Sequence, residues 1–306
     1  MKNIVVIMGG TSNEREVSIQ SGSNIAKALQ ETGRYHVEAM RLDTNSLPPL
    51  PPNCEAVYIA LHGGWGENGG VQKELNARKM PYTGPGAEAS KLAMDKIATK
   101  RILDQAGIPT APWYTLTPCD VIPPCRFEFP VVVKAPRDGS SFSVAKCANA
   151  AEFEAACRDA WKTDEKNDLG TQVPEALIES YIPGREATVG LIDGEPLPVI
   201  EIVTPNEWYG FADKYTSNVT RYPFLDEQPL AKKLQEIAQA AYQAIGCRGV
   251  TRVDFRIRAD GSIYVLELNT SPGFTSHSLV PKAGMKTGLT FAEVCEKILA
   301  SADYDR

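Results

Sequence analysis

The sequence predicts a mixed fold: an N-terminal α/β domain with a parallel sheet, followed by α+β units with antiparallel sheets. Three stretches carry this reading. Asn3 to Met8 is a short, nearly all-apolar strand that passes through Gly9-Gly10 into an amphipathic helix containing Val17, Ile25 and Leu29, the strand, turn and helix that open a parallel sheet. Leu177 to Ile182 and Glu186 to Ile192 flank Pro183-Gly184, and Asp193-Gly194 then turns into Leu197 to Val203, an antiparallel arrangement. Val250 to Arg258 and Ser262 to Asn269 are rich in β-branched and aromatic residues and flank Asp260-Gly261, a dipeptide that marks a hairpin turn.

A chain of 306 residues is too long for one typical core and divides into two or three units. At 43% hydrophobic and 23% charged residues it has the composition of a soluble globular protein. A net charge of −6 without a Lys/Arg run argues against nucleic acid as a partner. The apolar run at the N-terminus is too short for a signal segment or a membrane span, so no membrane partner is expected. The seven cysteines are scattered, odd in number and free of C-x-x-C, which suggests neither a disulfide framework nor a zinc site and points to a reducing cytoplasm.

The first turn, Gly9-Gly10-Thr11-Ser12, does not match the dinucleotide fingerprint, although it can hold a small ligand at a helix N-terminus. Thr11 with Glu14 also fits a capping box, so Glu14 reads equally well as a cap and as a ligand. After the proline-rich link Leu47 to Pro52, a second buried strand, Ala56 to Leu61, ends in His62 and a glycine-rich run to Gly70. Ligands of open α/β sheets gather at such strand ends; a lone histidine is more often structural, but the glycines beside His62 free the backbone to approach a ligand. Ser90 to Ala106 reads as one helix closed by Gly107 and Pro109. Val131 to Lys134 leads into a hydroxyl-rich loop, and Val144 to Lys146 resumes the strand; the loop closes over phosphates beside Lys134, or is a plain flexible hairpin. Thr204 to Phe224 is an aromatic loop of the kind used as a lid, or a surface excursion packed by its own rings. Leu230, Leu234, Ile237, Ala238, Ala241 and Ile245 share one helical face ended by Gly246, and the last helix opens on a Thr290/Glu293 capping box.

If Asp260 and Gly261 are the two central turn residues, Ala259 faces Ser262, Asp254 lies opposite Glu267 and Arg252 lies opposite Asn269. The four polar groups then share one face, leaving Val253, Phe255, Leu266 and Leu268 for a core. Opposed carboxylates repel and need a cation. Oxygen ligands from Asp254, Glu267 and Asn269 favour a hard ion, magnesium carrying substrate phosphates; a solvated face balanced by Arg252 satisfies the same spacing. The following Thr270 to Ser278 offers hydroxyls and a glycine amide, as an anion-handling loop would.

Gly9 to Ser12 with Glu14 to Ser18, Ala60 to Gly63, Pro81 to Gly84, Met94-Asp95-Lys96, Arg137 to Ser141, Lys214-Tyr215, Arg252 with Asp254, Glu267 to Gly273 and Ser276 to Pro281 form an ordered set over nearly the whole chain. In this set the chain resembles the D-alanine–D-alanine ligases of the ATP-grasp superfamily. The resemblance implies an N-terminal α/β substrate-binding domain over residues 1–92, a central ATP-grasp subdomain over 93–182 and a C-terminal ATP-grasp subdomain with the metal site over 183–306. It implies that ATP phosphorylates the carboxylate of one D-alanine and that the amine of a second displaces phosphate, with a different acceptor as the alternative. Lys96, Lys134 and Lys214 would hold the phosphates, Glu179, Ser180, Tyr181 and Ile182 would line the adenine, and Glu186 would take the ribose. Asp254, Glu267 and Asn269 would bind two magnesium ions, with manganese as a substitute. Glu14 would hold the first ammonium and His62 would bind substrate; Ser140 and Tyr215 would link the covering loops. Arg252 and the Gly273 amide would stabilise the oxyanion, and Ser278 with Leu279 would position the second carboxylate. Tyr215 after Lys214 favours an amine acceptor, and a homodimer is implied. Ser143, where the family usually has glycine, and Ser180, where lysine is common, are departures that bear on loop closure and nucleotide affinity.

Overall fold

The computed structural model describes residues 1–138, 143–166, 169, 173–204, 220–275 and 278–305. The N-terminal sheet is parallel. Strand β1, Lys2–Gly9, lies between β2, Tyr35–Leu42, and β3, Ala56–Ile59. Alternate residues of β1 serve two cores: Ile4, Val6 and Met8 pack on helix α1, Arg15–Glu31, through Ile25 and Leu29, while Val5 and Ile7 pack with Leu42, Val57, Leu75 and Tyr82. That two-sided burial explains the unbroken apolar run read in the sequence. β2 has no such run, since only Val37 and Leu42 are buried, and so it carries little sequence signal.

Two antiparallel sheets follow, as expected. One has the order β4-β7-β5-β6, from Trp113–Leu116, Ala176–Ser180, Val131–Lys134 and Val144–Cys147. Phe153, Cys157 and Trp161 of helix Ala150–Asp164 cover one of its faces. The other has the order β10-β8-β11-β12, from Ile200–Ile202, Arg185–Ile192, Val250–Ile257 and Ile263–Asn269, with the short β9, Glu195–Pro196, paired to β8. Helix Gln228–Ile245 lays Leu234, Ala238, Ala241 and Ile245 against Val253, Phe255, Val265 and Leu268, and Gly246 ends it in the left-handed region at φ 76°. This packing backs the hairpin and leaves its polar face turned to the rest of the molecule.

Two local expectations change. The stretch expected as one helix from Ser90 to Ala106 is two, Ala87–Met94 and Lys96–Gln105, broken at Asp95, whose backbone is extended and whose carboxylate accepts from the amides of Ile97 and Ala98. A side-chain cap competes with helix continuation at such a residue. The Thr11/Glu14 capping box does not form: Thr11 donates to Asn45, and the Ser12 hydroxyl donates to the His62 carbonyl at 2.6 Å, turning this end of the helix toward the glycine-rich run. The Thr290/Glu293 box does form, at the start of Phe291–Ala300.

The N-terminal unit and the long hairpin meet at their backbones. Arg248 donates to the carbonyls of Tyr82 and Gly84 at 3.2 and 2.8 Å and to that of Asp303 at 2.7 Å, with its guanidinium 4.4 Å from the Tyr82 ring centre. Gly249 follows at φ 60°, and a Cβ there would lie 2.9 Å from the Gly84 nitrogen. Gly249→Ala combines an unfavourable φ with a clash against backbone and is expected to destabilise the fold by on the order of 2–3 kcal/mol. Urea denaturation checks this; a variant as stable as the parent would show that the two units do not need this close approach.

Candidate active site

The site is built around β11 and β12. Arg252 pairs with Asn269 and Asp254 with Glu267, the register expected from the sequence, but the route to it differs. The Arg258 amide donates to Ser262 at 2.9 Å and the Gly261 amide to Arg258 at 3.0 Å, with Gly261 at φ 81°. These bonds enclose a loop of Ala259, Asp260 and Gly261, one residue longer than the expected two-residue turn. Alone, that shift would swap the faces of β12. A β-bulge opposite Asp254/Phe255 inserts Leu266 and restores the register. Val265 therefore takes the core position expected of Leu266, which is only half-buried.

On the polar face, Arg252 grips Asp254 with both arms, Nε to Oδ1 at 2.9 Å and Nη2 to Oδ2 at 2.7 Å. Thr188, directly opposite on β8, donates to Asp254 Oδ1 at 2.6 Å, and Asn269 Nδ2 donates to Oδ2 at 2.9 Å. Lys96 Nζ lies 4.0 Å from Glu267 and donates to the Asp138 carbonyl at 2.8 Å. Lys96, Glu267 and Asn269 line a cleft of about 310 Å³ open to solvent, with Glu67 and Met94 on its other walls. Asn269 turns its amide nitrogen to Asp254 and so keeps its oxygen for another partner. Glu267 and the Asn269 oxygen suit a hard divalent ion that completes its shell with water and phosphate oxygens; Asp254, which offers about four lone-pair positions and accepts from Arg252, Thr188 and Asn269, would release one of these donors to join them. Among the described residues no larger cluster of His, Cys, Asp and Glu converges.

A second group surrounds Glu179. Its carboxylate, 2% exposed, bridges Lys100 and Lys134, each at 2.5 Å, and these charges hold it ionised against its burial, with a pKa near 2. Burial opposes the charge on Lys134, but Glu179 and Glu267 outweigh it and raise its pKa. Lys100 also donates to Thr110 and the Ala111 carbonyl at 2.6 and 3.3 Å, which ties its ammonium to the fold beside its ion pair with Glu179. Two cations on one carboxylate leave a net positive charge in the interior, suited to an anion. Ser180 ends β7, Tyr181 and Ile182 form the link to β8, and Glu186 lies on β8 beside Arg256, their nitrogen and oxygen 3.2 Å apart.

At the glycine-rich end, both ring nitrogens of His62 are engaged. Nδ1 lies 2.9 Å from the Ser271 carbonyl and must donate; Nε2 then accepts from Ser21 Oγ at 3.1 Å, which itself accepts from the Phe274 amide at 3.1 Å. The imidazole is thus fixed as the neutral Nδ1–H tautomer, and burial pushes its pKa down to about 4. The Glu67 carboxylate accepts from the amides of Gly63 and Ser271 at 3.0 and 3.3 Å; burial, then the charge of Glu14, push its pKa up to about 7. Glu14 lies against Gly63, where an added Cβ would come within 2.9 Å of its Oε2. Ser278 Oγ accepts from the Thr275 amide at 2.8 Å, sits where a Cβ on Gly273 would come within 3.1 Å, and precedes helix Leu279–Lys286.

The structure therefore brings Glu14, His62, Arg252, Asp254, Glu267, Asn269 and Lys96 around one region, with Lys134, Glu179 and Glu186 alongside. Ser140, Lys214 and Tyr215 lie outside the described residues, as do Trp208, Tyr209 and Phe211 of the aromatic loop. Arg137, beside the hydroxyl-rich loop, is spent internally on Asp95, Asp164 and Glu175 at 2.9, 2.7 and 2.5 Å. Ser143, the departure in that loop, donates to Asp138. Lys100, Glu67, Thr188 and Arg256 are not among the residues that the sequence singles out. Lys100 stands four residues after Lys96 on one helix, a spacing that could have flagged it; Thr188 is found only through strand pairing.

A family profile described as "D-ala D-ala ligase C-terminus" matches residues 102–300. A protein of Bordetella avium named D-alanine–D-alanine ligase is 41% identical, covering 97% of this chain and 93% of that protein. One of the same name from Anaeromyxobacter sp. is 38% identical over 98% of this chain and 97% of its own length. The crystal structure of D-alanine–D-alanine ligase from Bacillus anthracis complexed with ATP superposes with a TM-score of 0.83 at 30% identity, covering 98% of this chain and 97% of that one. The Coxiella burnetii enzyme gives 0.82 at 25% identity, covering 99% and 95%.

Two predictions arise here. Lys100→Met leaves the Lys134–Glu179 pair in place but takes a donor from Thr110 and the Ala111 carbonyl, and is expected to cost about 1–3 kcal/mol of stability, measured by chemical denaturation; a variant as stable as the parent would show that these acceptors do not depend on Lys100. The second concerns pH. His62, with its pKa lowered, contributes stability that is present above about 6.5 and is lost as pH falls toward about 4. Glu67, with its pKa raised, contributes stability present below about 4.5 and lost as pH rises toward about 7. The two slopes oppose each other between pH 4.5 and 6.5. Glu67→Gln should therefore steepen the loss of stability on acidification in that window, and His62→Gln should reduce or reverse it; identical slopes in both variants would refute the assignment.

Proposed function

The chain belongs to the D-alanine–D-alanine ligase family, and from that premise we propose that it joins two D-alanine molecules into D-alanyl-D-alanine, driven by ATP, for peptidoglycan precursor synthesis. The observation that carries this reading is the run of contacts from Arg252 through Asp254 to Asn269, which shares one cleft with Glu267 and Lys96, in a chain similar to such ligases from end to end. The three sheets support a division into an N-terminal substrate-binding domain (1–92), a central ATP-grasp subdomain (93–182) and a C-terminal subdomain with the metal site (183–306).

The carboxylate of the first D-alanine attacks the γ-phosphorus of ATP, and ADP leaves. Lys96, Lys134 and Lys214 neutralise the phosphate charge, Glu179 to Ile182 line the adenine, and Glu186 receives the ribose. Asp254, Glu267 and Asn269 would hold two magnesium ions, whose charge would offset that of the phosphate groups. The amine of the second D-alanine, having lost a proton, adds to the acyl carbon; the tetrahedral oxyanion collapses, breaking the carbon–oxygen bond to phosphate. Arg252 and the Gly273 amide face that oxyanion. Asp254 holds the guanidinium in a fixed plane, so its charge and N–H donors need little reorganisation as negative charge develops. Glu14 receives the first ammonium, Ser278 and Leu279 present a hydroxyl and a helix N-terminus to the second carboxylate, and Ser140 with Tyr215 link the covering loops. His62 serves through position, tying Ser271 to Ser21 of α1, which also accepts from the Phe274 amide, and so holding the substrate end of the site to its oxyanion end. A cytoplasmic homodimer completes the proposal; among the described residues no helix is long and apolar enough to cross a membrane.

Phosphate release from ATP and magnesium should occur with D-alanine and not with L-alanine or D-lactate, with the D-alanyl-D-alanine mass in the product and a dimer mass in sedimentation. Arg252→Met should lower kcat by about 10²–10³-fold while ATP binding persists. Release with D-serine or D-lactate in preference to D-alanine would replace the proposed acceptor, and an unchanged kcat in the variant would remove Arg252 from the oxyanion.

A further inference from the structure

Arg256 is 8% exposed, and no step of the reaction above uses it. Burying a guanidinium demands acceptors around its edge. The structure supplies three, all from one short stretch of chain. Nε donates to the Ile182 carbonyl at 3.0 Å, Nη1 to Glu186 Oε2 at 3.2 Å and Nη2 to the Tyr181 hydroxyl at 3.3 Å. The guanidinium carbon lies 5.6 Å from the Tyr181 ring centre, and Lys146 Nζ lies 4.0 Å from the same centre.

Strand geometry explains how one residue reaches all three. Arg252, Asp254 and Arg256 alternate along β11 and share its polar face, while Val253 and Phe255 enter the core. Arg256 is the member nearest the turn, and β11–β8 pairing sets it directly opposite Glu186. From there its fork extends past β8 to the link that joins β7 to β8. A planar fork with fixed donor directions holds its acceptors in one arrangement, which a flexible ammonium cannot do.

We infer that Arg256 is a positioning residue for the nucleotide: it fixes the Tyr181–Ile182 link and the Glu186 carboxylate in the arrangement that receives base and ribose before the nucleotide arrives. The inference rests on the proposed nucleotide role of residues 179–186. Ordering a link and a carboxylate on binding costs affinity, and a site ordered beforehand avoids that cost. A carboxylate offers about four lone-pair positions, so the bond to Arg256 leaves Glu186 able to accept from ribose hydroxyls. Arg256 thus governs nucleotide affinity, whereas Arg252, four residues earlier on the same face, acts on the reacting atoms.

The test compares Arg256→Gln and Arg256→Lys with the parent enzyme in two measurements: calorimetric titration with ADP and magnesium, and phosphate release with ATP and D-alanine varied in turn. Arg256→Gln should weaken ADP binding and raise the ATP KM about tenfold or more, with kcat and the D-alanine KM within about threefold of the parent. Arg256→Lys should fall between, since an ammonium can satisfy part of the acceptor set, and it carries the test if the glutamine variant does not fold. Unchanged ADP affinity, or a fall in kcat with ADP affinity intact, would overturn the inference. The ADP titration needs no amino acid: a parent that binds ADP but does not turn over D-alanine refutes only the acceptor reading, whereas a parent that does not bind ADP refutes the nucleotide reading and the role of Arg256 together.

Discussion

The grip of Arg252 on Asp254 is the interaction on which the site depends. The hairpin sets Asp254 and Glu267 opposite each other, a placement that is unfavourable without nearby positive charge. Arg252 supplies that charge from two residues away on the same strand, and Thr188 and Asn269 complete the set of donors around Asp254. The repulsion that makes the hairpin unsuitable as plain structure makes it suitable for a cation. The same guanidinium that Asp254 steadies can then meet an oxyanion without having to find its orientation. Everything behind this face, from the helix Gln228–Ile245 to the buried Val253, Phe255, Val265 and Leu268, serves to hold two strands in register.

The interior charges follow the same logic in a drier setting. Glu179 lies between Lys100 and Lys134, and the group carries one more positive charge than negative. Burial would normally neutralise such groups; here each charge is met by an opposite charge or by a fixed hydroxyl or carbonyl. Arg137 repeats the pattern with three carboxylates beside the hydroxyl-rich loop. Buried ion groups of this kind hold side chains in single positions more than they add stability, and positioning is what phosphoryl transfer asks of a protein.

Much of this was legible in residue order. The apolar run of β1 and the glycine turn after it announced a parallel sheet, because a strand buried on both faces must be apolar throughout. Asp260-Gly261 announced the hairpin, and the ordered motifs from Gly9 to Pro281 carried the family, its chemistry and its expected ligands. Less visible were features whose cause lies across the chain. β2 is mostly exposed and has no apolar signature. Asp95 breaks a helical pattern with its own carboxylate, which periodicity does not register. His62 was readable as a ligand, but both of its nitrogens are taken by Ser21 and Ser271, residues 41 and 209 positions away.

The hairpin shows the division most clearly. The sequence by itself determined that Asp254 and Glu267 would lie on paired strands, because alternation fixes which side chains share a face. Only the tertiary structure decided how. The turn is one residue longer than counted, and the Leu266 bulge takes up the difference, because the helix behind the sheet requires Val265 and Leu268 in the core while the cleft requires Glu267 and Asn269 outside it. Local pattern sets the faces of each strand; which residue yields to reconcile them is settled by what packs on both sides.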